Sequence, residues 1–234
     1  MKILFRFNFL FSILVLFALV SCSEERKNVL LKSPDKSFTY SLKASEDGSK
    51  LLYQISFNGK EIVAPSGLGF EFSEKLQAEK IVIGEIVTKS ENTSWKPVYG
   101  EKNEYPDVYN EALVTFSGVN YALRIRAYDE GVAFRYEFQN EAGQINITSE
   151  KTEFNVPADA SAWVSSRAQS EITKVKVAEI EEVKERPMLL QYSDALFVAI
   201  GEAGLVDFAR MKLINNNPGM GVLTASLEGT VTYD

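Results

Sequence analysis

The feature that most constrains the fold is a period of two in the apolar residues. Across residues 132–138 every second side chain is apolar, and Arg135 and Glu137 occupy positions between them. Residues 121–128 alternate in the same way around Arg124 and Arg126. A strand with one buried face requires this alternation, because a slip of one residue would move each apolar side chain into water. The pattern predicts half-buried antiparallel strands.

Turn signals separate further runs of this kind. The dipeptide Asn58-Gly59 lies between apolar runs and predicts a tight hairpin. Outside the first twenty or so residues no helical period persists for a dozen residues, so the crossover helices of a parallel sheet are not expected. About fifteen short strands with regular turn signals predict an all-β antiparallel sandwich. Other predicted strands are 81–88, 109–116, 171–178, 195–200, 211–214 and 230–233.

The start of the chain carries an export signal. Lys2 and Arg6 precede an apolar run, 7–20, which is too short to span a bilayer comfortably as a permanent helix. Ser21 and then Cys22, the single cysteine, follow directly, as lipoprotein signal peptidase requires. We expect residues 1–21 to be a lipoprotein signal peptide and Cys22 to be acylated. The alternative is an ordinary signal peptide in which the cysteine is incidental.

This interpretation implies a location for the protein. Residues 22–28 form a polar tether, and residues 29–234 form the folded domain. Acyl chains on Cys22 would hold the exported protein on a membrane, because each buried CH₂ group contributes about 0.8 kcal/mol. We therefore expect a lipid-anchored protein of the outer membrane or periplasm.

Composition excludes several classes of function. The chain has no histidine, so Ser-His-Asp and Cys-His catalysis and histidine-ligated zinc are absent. A net charge of −7 without a basic run argues against binding nucleic acid. Any metal would need oxygen ligands, which favours calcium or magnesium. No pair of carboxylates can be singled out as the acid and base of a glycosidase.

Three features are candidates for function. Aromatic rings such as Trp95, Tyr99 and Tyr105 suit the apolar faces of sugars when they are exposed in loops, but such rings equally cap the ends of sandwiches. Glu202 follows an apolar strand and a glycine, which is a position from which a carboxylate reaches a cleft. The acidic run that ends at Glu185 is interpreted as charge that keeps a loop or strand edge from pairing with another chain.

Several segments together resemble a known family. Ser33-Pro34-Asp35, residues 55–69 around Asn58-Gly59, residues 109–111 and 128–136, and the run Glu-Ala-Gly-Leu-Val-Asp-Phe at 202–208 occur in order along the chain. They are similar to segments of the N-terminal domain of glycoside hydrolase family 97. Enzymes of that family are exported, often as lipoproteins of Bacteroidetes, and cleave α-glucosidic or α-galactosidic bonds.

The resemblance implies a fold and a site. It predicts a β-super-sandwich similar to galactose mutarotase, which packs on a catalytic (β/α)₈ barrel. It also implies a calcium ion at the active site, with one glutamate ligand supplied by the N-terminal domain; the matching position is Glu202. The sequence stops at Asp234, before any barrel, so we expect a fragment of a longer enzyme or else a truncated or split form.

Three functions follow as hypotheses. The first is the non-catalytic domain of a calcium-dependent α-glucosidase or α-galactosidase, with an α-linked oligosaccharide and its own barrel as partners. The second is a stand-alone, lipid-anchored carbohydrate-binding lipoprotein that uses Trp95, Tyr99 and Tyr105. The third is a structural lipoprotein without a ligand. The sequence leaves the preferred sugar and linkage open.

Overall fold

The computed structural model describes residues 27–73, 80–138, 145–206, 208–227, 229 and 231–233. The predicted signal peptide and Cys22 lie outside these ranges. Within them, no helix has the length and apolar composition needed to cross a membrane. The described chain forms a short 3₁₀ helix, Val177–Glu179, and eighteen strands: β1 (Val29–Lys32), β2 (Phe38–Ala44), β3 (Leu51–Phe57), β4 (Lys60–Leu68), β5 (Phe70–Phe72), β6 (Val82–Trp95), β7 (Tyr105–Ser117), β8 (Tyr121–Tyr128), β9 (Gly131–Phe138), β10 (Ile145–Glu150), β11 (Glu153–Asn155), β12 (Ser161–Val164), β13 (Thr173–Lys176), β14 (Met188–Ser193), β15 (Leu196–Ile200), β16 (Met211–Asn215), β17 (Val222–Leu227) and β18 (Val231–Tyr233).

The strands form four sheets. A seven-stranded sheet has the order β1-β2-β3-β4-β11-β17-β16, and two four-stranded sheets have the orders β6-β7-β8-β9 and β13-β12-β14-β15. A three-stranded sheet has the order β18-β10-β5. Neighbouring strands pair antiparallel in each sheet. The predicted all-β antiparallel fold class is confirmed.

The apolar side chains form two buried cores. The first core takes residues from β1–β8 and from β10. The second core takes residues from β16 and β17 of the seven-stranded sheet and from β12, β14 and β15. Phe154, Tyr192 and Val198 pack against both cores. The seven-stranded sheet is therefore the layer that both cores share.

The predicted hairpin at Asn58-Gly59 is confirmed. Both residues have positive φ, 49° at Asn58 and 76° at Gly59. A two-residue turn with two positive φ angles matches the right-handed twist of the strands that it joins. Phe57 at the end of β3 accordingly pairs with Lys60 at the start of β4.

The alternation that predicted two strands is also confirmed. In β8 the apolar residues Leu123, Ile125 and Ala127 are fully buried, and the two arginines between them are partly exposed. Arg124 and Arg126 hold the buried carboxylate of Glu111 on the outer face of the sheet, at 2.5 and 2.7 Å. The charged side chains on this face therefore form ion pairs with one another.

Three predicted strands have clearly different limits in the structure. The strand predicted at 171–178 is shorter, because the chain leaves β13 at Lys176 and enters the 3₁₀ helix. The strands predicted at 81–88 and 109–116 are longer, because β6 and β7 pair as far as Trp95 and Tyr105. Pairing of β7 with β8 begins only at Tyr109. Residues 92–108 of the β6–β7 hairpin therefore project beyond β8, and we call them the hairpin arm.

Candidate functional site

Glu202 lies two residues beyond the last residue of β15. Ile200 is buried at the end of that strand, and the chain then emerges to the surface. The Glu202 side chain is 19% exposed. Its Oε2 atom accepts hydrogen bonds from Arg186 Nε at 2.7 Å and from the Met211 backbone N–H at 2.9 Å. Arg186 and the backbone at the start of β16 thus hold this carboxylate in place.

The two oxygens of this carboxylate are not equivalent. Both hydrogen bonds reach Oε2. In the part of the chain that the structure describes, no hydrogen bond or ion pair reaches Oε1. One oxygen is therefore anchored, and the other is available to a ligand.

Glu185 corrects one prediction from the sequence. The acidic run was expected to lie on a solvated loop or edge, but Glu185 is only 5% exposed. Its carboxylate lies 3.3 Å from Arg186 Nη1, 3.3 Å from Arg210 Nη2 and 3.4 Å from Lys212 Nζ. Three nearby cations explain why a carboxylate is buried here, since an unpaired charge would be strongly destabilising.

Glu150, at the end of β10, is a second buried carboxyl that the sequence did not predict. Its Oε1 accepts a hydrogen bond from Thr152 Oγ1 at 2.6 Å, and the Tyr136 hydroxyl lies 2.8 Å from the same Thr152 oxygen. Burial raises the pKa of Glu150 to about 7; the Thr152 hydrogen bond opposes the shift, and the nearby charge of Glu202 adds to it. The two carboxyls therefore interact, although one lies at the end of β10 and the other beyond β15.

A β-bulge hid Glu150 from the alternation rule. Ile145 and Ile147 are buried, so a period of two would place Ser149 inward and Glu150 outward. The register of β10 against β5 shifts between Ile147 and Ser149. A bulge adds one residue to a strand and reverses the faces beyond it. Glu150 consequently points into the molecule.

The described residues supply part of a metal site at most. Nowhere among them do three or more carboxylate, thiolate or imidazole side chains gather closely enough to hold a metal ion. Calcium takes six to eight oxygen ligands in proteins. Glu202 fits the role of a single carboxylate ligand, through its available Oε1 atom, and the remaining ligands would come from outside the described residues.

The three predicted aromatic residues lie on the hairpin arm, which belongs to a different sheet from β15, the strand that precedes Glu202. Trp95 and Tyr105 pair across the strands, and their rings stack with centroids 5.0 Å apart. Trp95 is 53% exposed and Tyr99 is 90% exposed. The structure therefore brings Trp95 and Tyr105 together on an exposed projection and leaves Tyr99 in the loop between the strands.

The fold and the Glu202 segment can now be compared with known proteins. The family model described as Glycosyl-hydrolase 97 N-terminal matches residues 31–230. The chain belongs to this family. The resemblance deduced from the sequence is thereby confirmed.

Solved structures agree with this family 97 assignment. An enzyme of glycoside hydrolase family 97 from Pseudoalteromonas sp. strain K8 superposes with a TM-score of 0.77 at 30% identity, over 87% of this chain. The same enzyme has been solved in complex with panose and with acarbose. A beta-arabinopyranosidase at 16% identity also reaches a TM-score of 0.77, which shows a shared fold.

A curated relative of this family 97 domain is known as well. The retaining alpha-galactosidase of Bacteroides thetaiotaomicron is 24% identical over 142 residues, which are 60% of this chain. The match spans 21% of that relative, and the Pseudoalteromonas match spans 34% of that enzyme. The chain thus corresponds to roughly a fifth to a third of the length of these relatives.

Proposed function

We propose that this chain is the non-catalytic domain of a family 97 α-glycosidase and supplies one calcium ligand, Glu202, to the sugar site. The observation that carries the proposal is the asymmetry of the Glu202 carboxylate. Arg186 and Met211 anchor Oε2, whereas Oε1 has no partner among the described residues. A rigidly held carboxylate with one available oxygen is suited to bind a hard cation.

Exposed apolar side chains beside Glu202 suit an interface with a partner domain. Leu205 and Val206, three and four residues further along, are 42% and 74% exposed. Adjacent apolar side chains of this size at a proposed ligand site favour an interface with another part of the protein. In this proposal they contact the catalytic barrel, and Glu202 would hold a calcium ion that would polarise the sugar site.

The relatives support a proposal for the substrate class. The Pseudoalteromonas enzyme has been solved with the oligosaccharide panose and with acarbose, and the Bacteroides relative is an alpha-galactosidase. We propose an α-linked oligosaccharide as the substrate of the whole enzyme. Export and membrane attachment through an acylated Cys22 remain part of the proposal.

A calcium titration of the whole enzyme tests the role of Glu202. Glu202→Gln keeps the shape of the side chain and removes its charge, so we expect calcium affinity measured by calorimetry to fall about tenfold or more. Glu182→Gln is the matched control, because the Glu182 side chain is 78% exposed and contacts only the nearby Lys184 among the described residues. Equal affinity in both variants and the wild type would refute the metal role.

The hairpin arm favours a second candidate function, glycan binding. The outer face of the Trp95 ring is open, since Tyr105 is the only described ring that stacks on it and no described cation lies over it. If the arm binds sugars, glycan affinity is lost in Trp95→Ala and survives in Glu202→Ala. The reverse pattern places the sugar near Glu202, and the arm then has no part in binding.

A further inference from the structure

Backbone hydrogen bonds hold the segment that carries Glu185 in place. Its backbone N–H donates to the Ser165 carbonyl oxygen at 2.9 Å. The preceding residue, Lys184, exchanges two backbone hydrogen bonds with Leu213 of β16, at 2.8 and 2.9 Å. The segment that carries Glu185 is therefore attached both to the end of β12 and to β16.

The cations around Glu185 are the groups that hold Glu202, or their neighbours in the chain. Arg186 lies 3.3 Å from Glu185 through Nη1 and 2.7 Å from Glu202 through Nε. The other donor to Glu202 is the backbone of Met211, which lies between Arg210 and Lys212. Both of those residues contact Glu185 Oε1, at 3.3 and 3.4 Å.

We propose that Glu185 is a positioning residue that sets how much of the Arg186 charge falls on Glu202, and so how strongly Glu202 attracts calcium. Arg186 divides its charge between two carboxylates, one buried and one at the surface. Without the charge of Glu185, Glu202 becomes the single carboxylate partner of Arg186 among the described residues. The full charge of Arg186 then falls on Glu202, which weakens the attraction of its available Oε1 atom for a calcium ion.

The proposal rests on the proposed calcium role of Glu202. Residues that orient a metal ligand from behind commonly change metal affinity by about 10- to 100-fold when they are replaced. We therefore expect Glu185→Gln to raise the calcium dissociation constant of the whole enzyme about tenfold. Glu182→Gln, in the same acidic run but exposed, leaves it unchanged.

A double-mutant cycle separates positioning from simple loss of structure. In a Glu202→Gln background, Glu185→Gln has no further effect on calcium affinity if it acts only through Glu202. The melting temperature without calcium is measured for each variant, because a purely structural role lowers it without changing the affinity of the folded protein. An affinity loss that adds in full to that of Glu202→Gln overturns the proposal.

Glu185→Asp covers the case in which Glu185→Gln does not fold. The shorter side chain keeps the charge but moves it away from the cations, so we expect a calcium affinity between those of the wild type and Glu202→Gln. Wild-type affinity in Glu185→Asp with a lowered calcium-free melting temperature overturns the proposal. If Glu202→Gln itself leaves calcium affinity intact, the proposed function fails, which is a different result from failure at Glu185 alone.

Discussion

Glu150 shows what a buried carboxyl does when it has a neutral partner instead of a cation. Among the described residues Thr152 is its hydrogen-bond donor, whereas Glu111 and Glu185 are each surrounded by arginine or lysine. Burial without a compensating cation favours the protonated form of a carboxyl. The pKa of Glu150 is accordingly raised from 4.5 to about 7.

The raised pKa predicts a pH-dependent loss of stability. The folded state binds the Glu150 proton more tightly than the unfolded state, so its contribution is fully present below pH 4.5 and is lost as the pH rises through about 7. The loss amounts to about 3 kcal/mol of unfolding free energy. Glu150→Gln mimics the protonated form, so we expect it to be more stable than the wild type at pH 8.5.

Urea denaturation at two pH values measures this effect. The stability difference between Glu150→Gln and the wild type should be large at pH 8.5 and small at pH 4.5. Glu46→Gln is a suitable control, since Glu46 lies in the exposed turn between β2 and β3. A difference of equal size at both pH values contradicts a titrating Glu150.

At the scale of single residues, two observations singled out Glu202: it follows an apolar strand and a glycine, and the segment that it begins resembles a family segment. Its role as a metal ligand stays a prediction. Glu185 and Glu150 were missed for physical reasons. The first is buried by cations from distant parts of the chain, Arg210 and Lys212, and the second is turned inward by a bulge.

At the scale of elements, a close backbone contact fixes where β17 begins. Gly221 precedes this strand, and its carbonyl oxygen accepts a hydrogen bond from the Val156 N–H at 2.8 Å. A Cβ atom at Gly221 would lie 1.7 Å from the Val156 carbonyl oxygen. Only glycine allows this approach, so the chain can enter β17 beside residue 156 only with glycine there.

Substituting this glycine should therefore destabilise the domain. We expect Gly221→Ala to lower the unfolding free energy by about 3 kcal/mol, because the backbone must move to relieve the overlap. Gly131→Ala is the matched control, since a Cβ atom there meets no heavy atom within 4 Å. Chemical denaturation of both variants checks the prediction, and a Gly221→Ala variant as stable as Gly131→Ala contradicts it.

Element existence was more predictable than element length. The hairpin at Asn58-Gly59 and strands β8 and β9 follow from turn chemistry and alternation, which act locally. The hairpin arm was not foreseen, because residues 89–95 are mainly polar and exposed and are held as a strand by pairing with β7. A solvent-exposed hairpin held by backbone pairing leaves no apolar alternation in the sequence.

At the scale of the whole molecule, side chains join the two cores. Phe154, Tyr192 and Val198 pack against both, and the Tyr192 hydroxyl donates a hydrogen bond to the Ile62 carbonyl oxygen at 2.6 Å. This hydrogen bond links β14, in one sheet, to β4, in the seven-stranded sheet. The sandwich class was predictable from strand count and spacing, but the division into two cores was not.

These shared contacts predict that the domain unfolds as one unit. We expect a single calorimetric transition whose van't Hoff and calorimetric enthalpies agree, because neither core can lose its layer without exposing the other. Tyr192→Phe should lower the midpoint while the transition remains single. Two resolved transitions would show that the cores are independent.

The arrangement of the two cores also sets an order of events during synthesis. The buried residues of the first core lie between residues 29 and 147, whereas those of the second lie between residues 156 and 225. The second core needs β16 and β17, which leave the ribosome late. An emerging chain therefore contains all the buried residues of its first core before those of its second, and the two cores can close on their shared sheet only once residue 225 has been made.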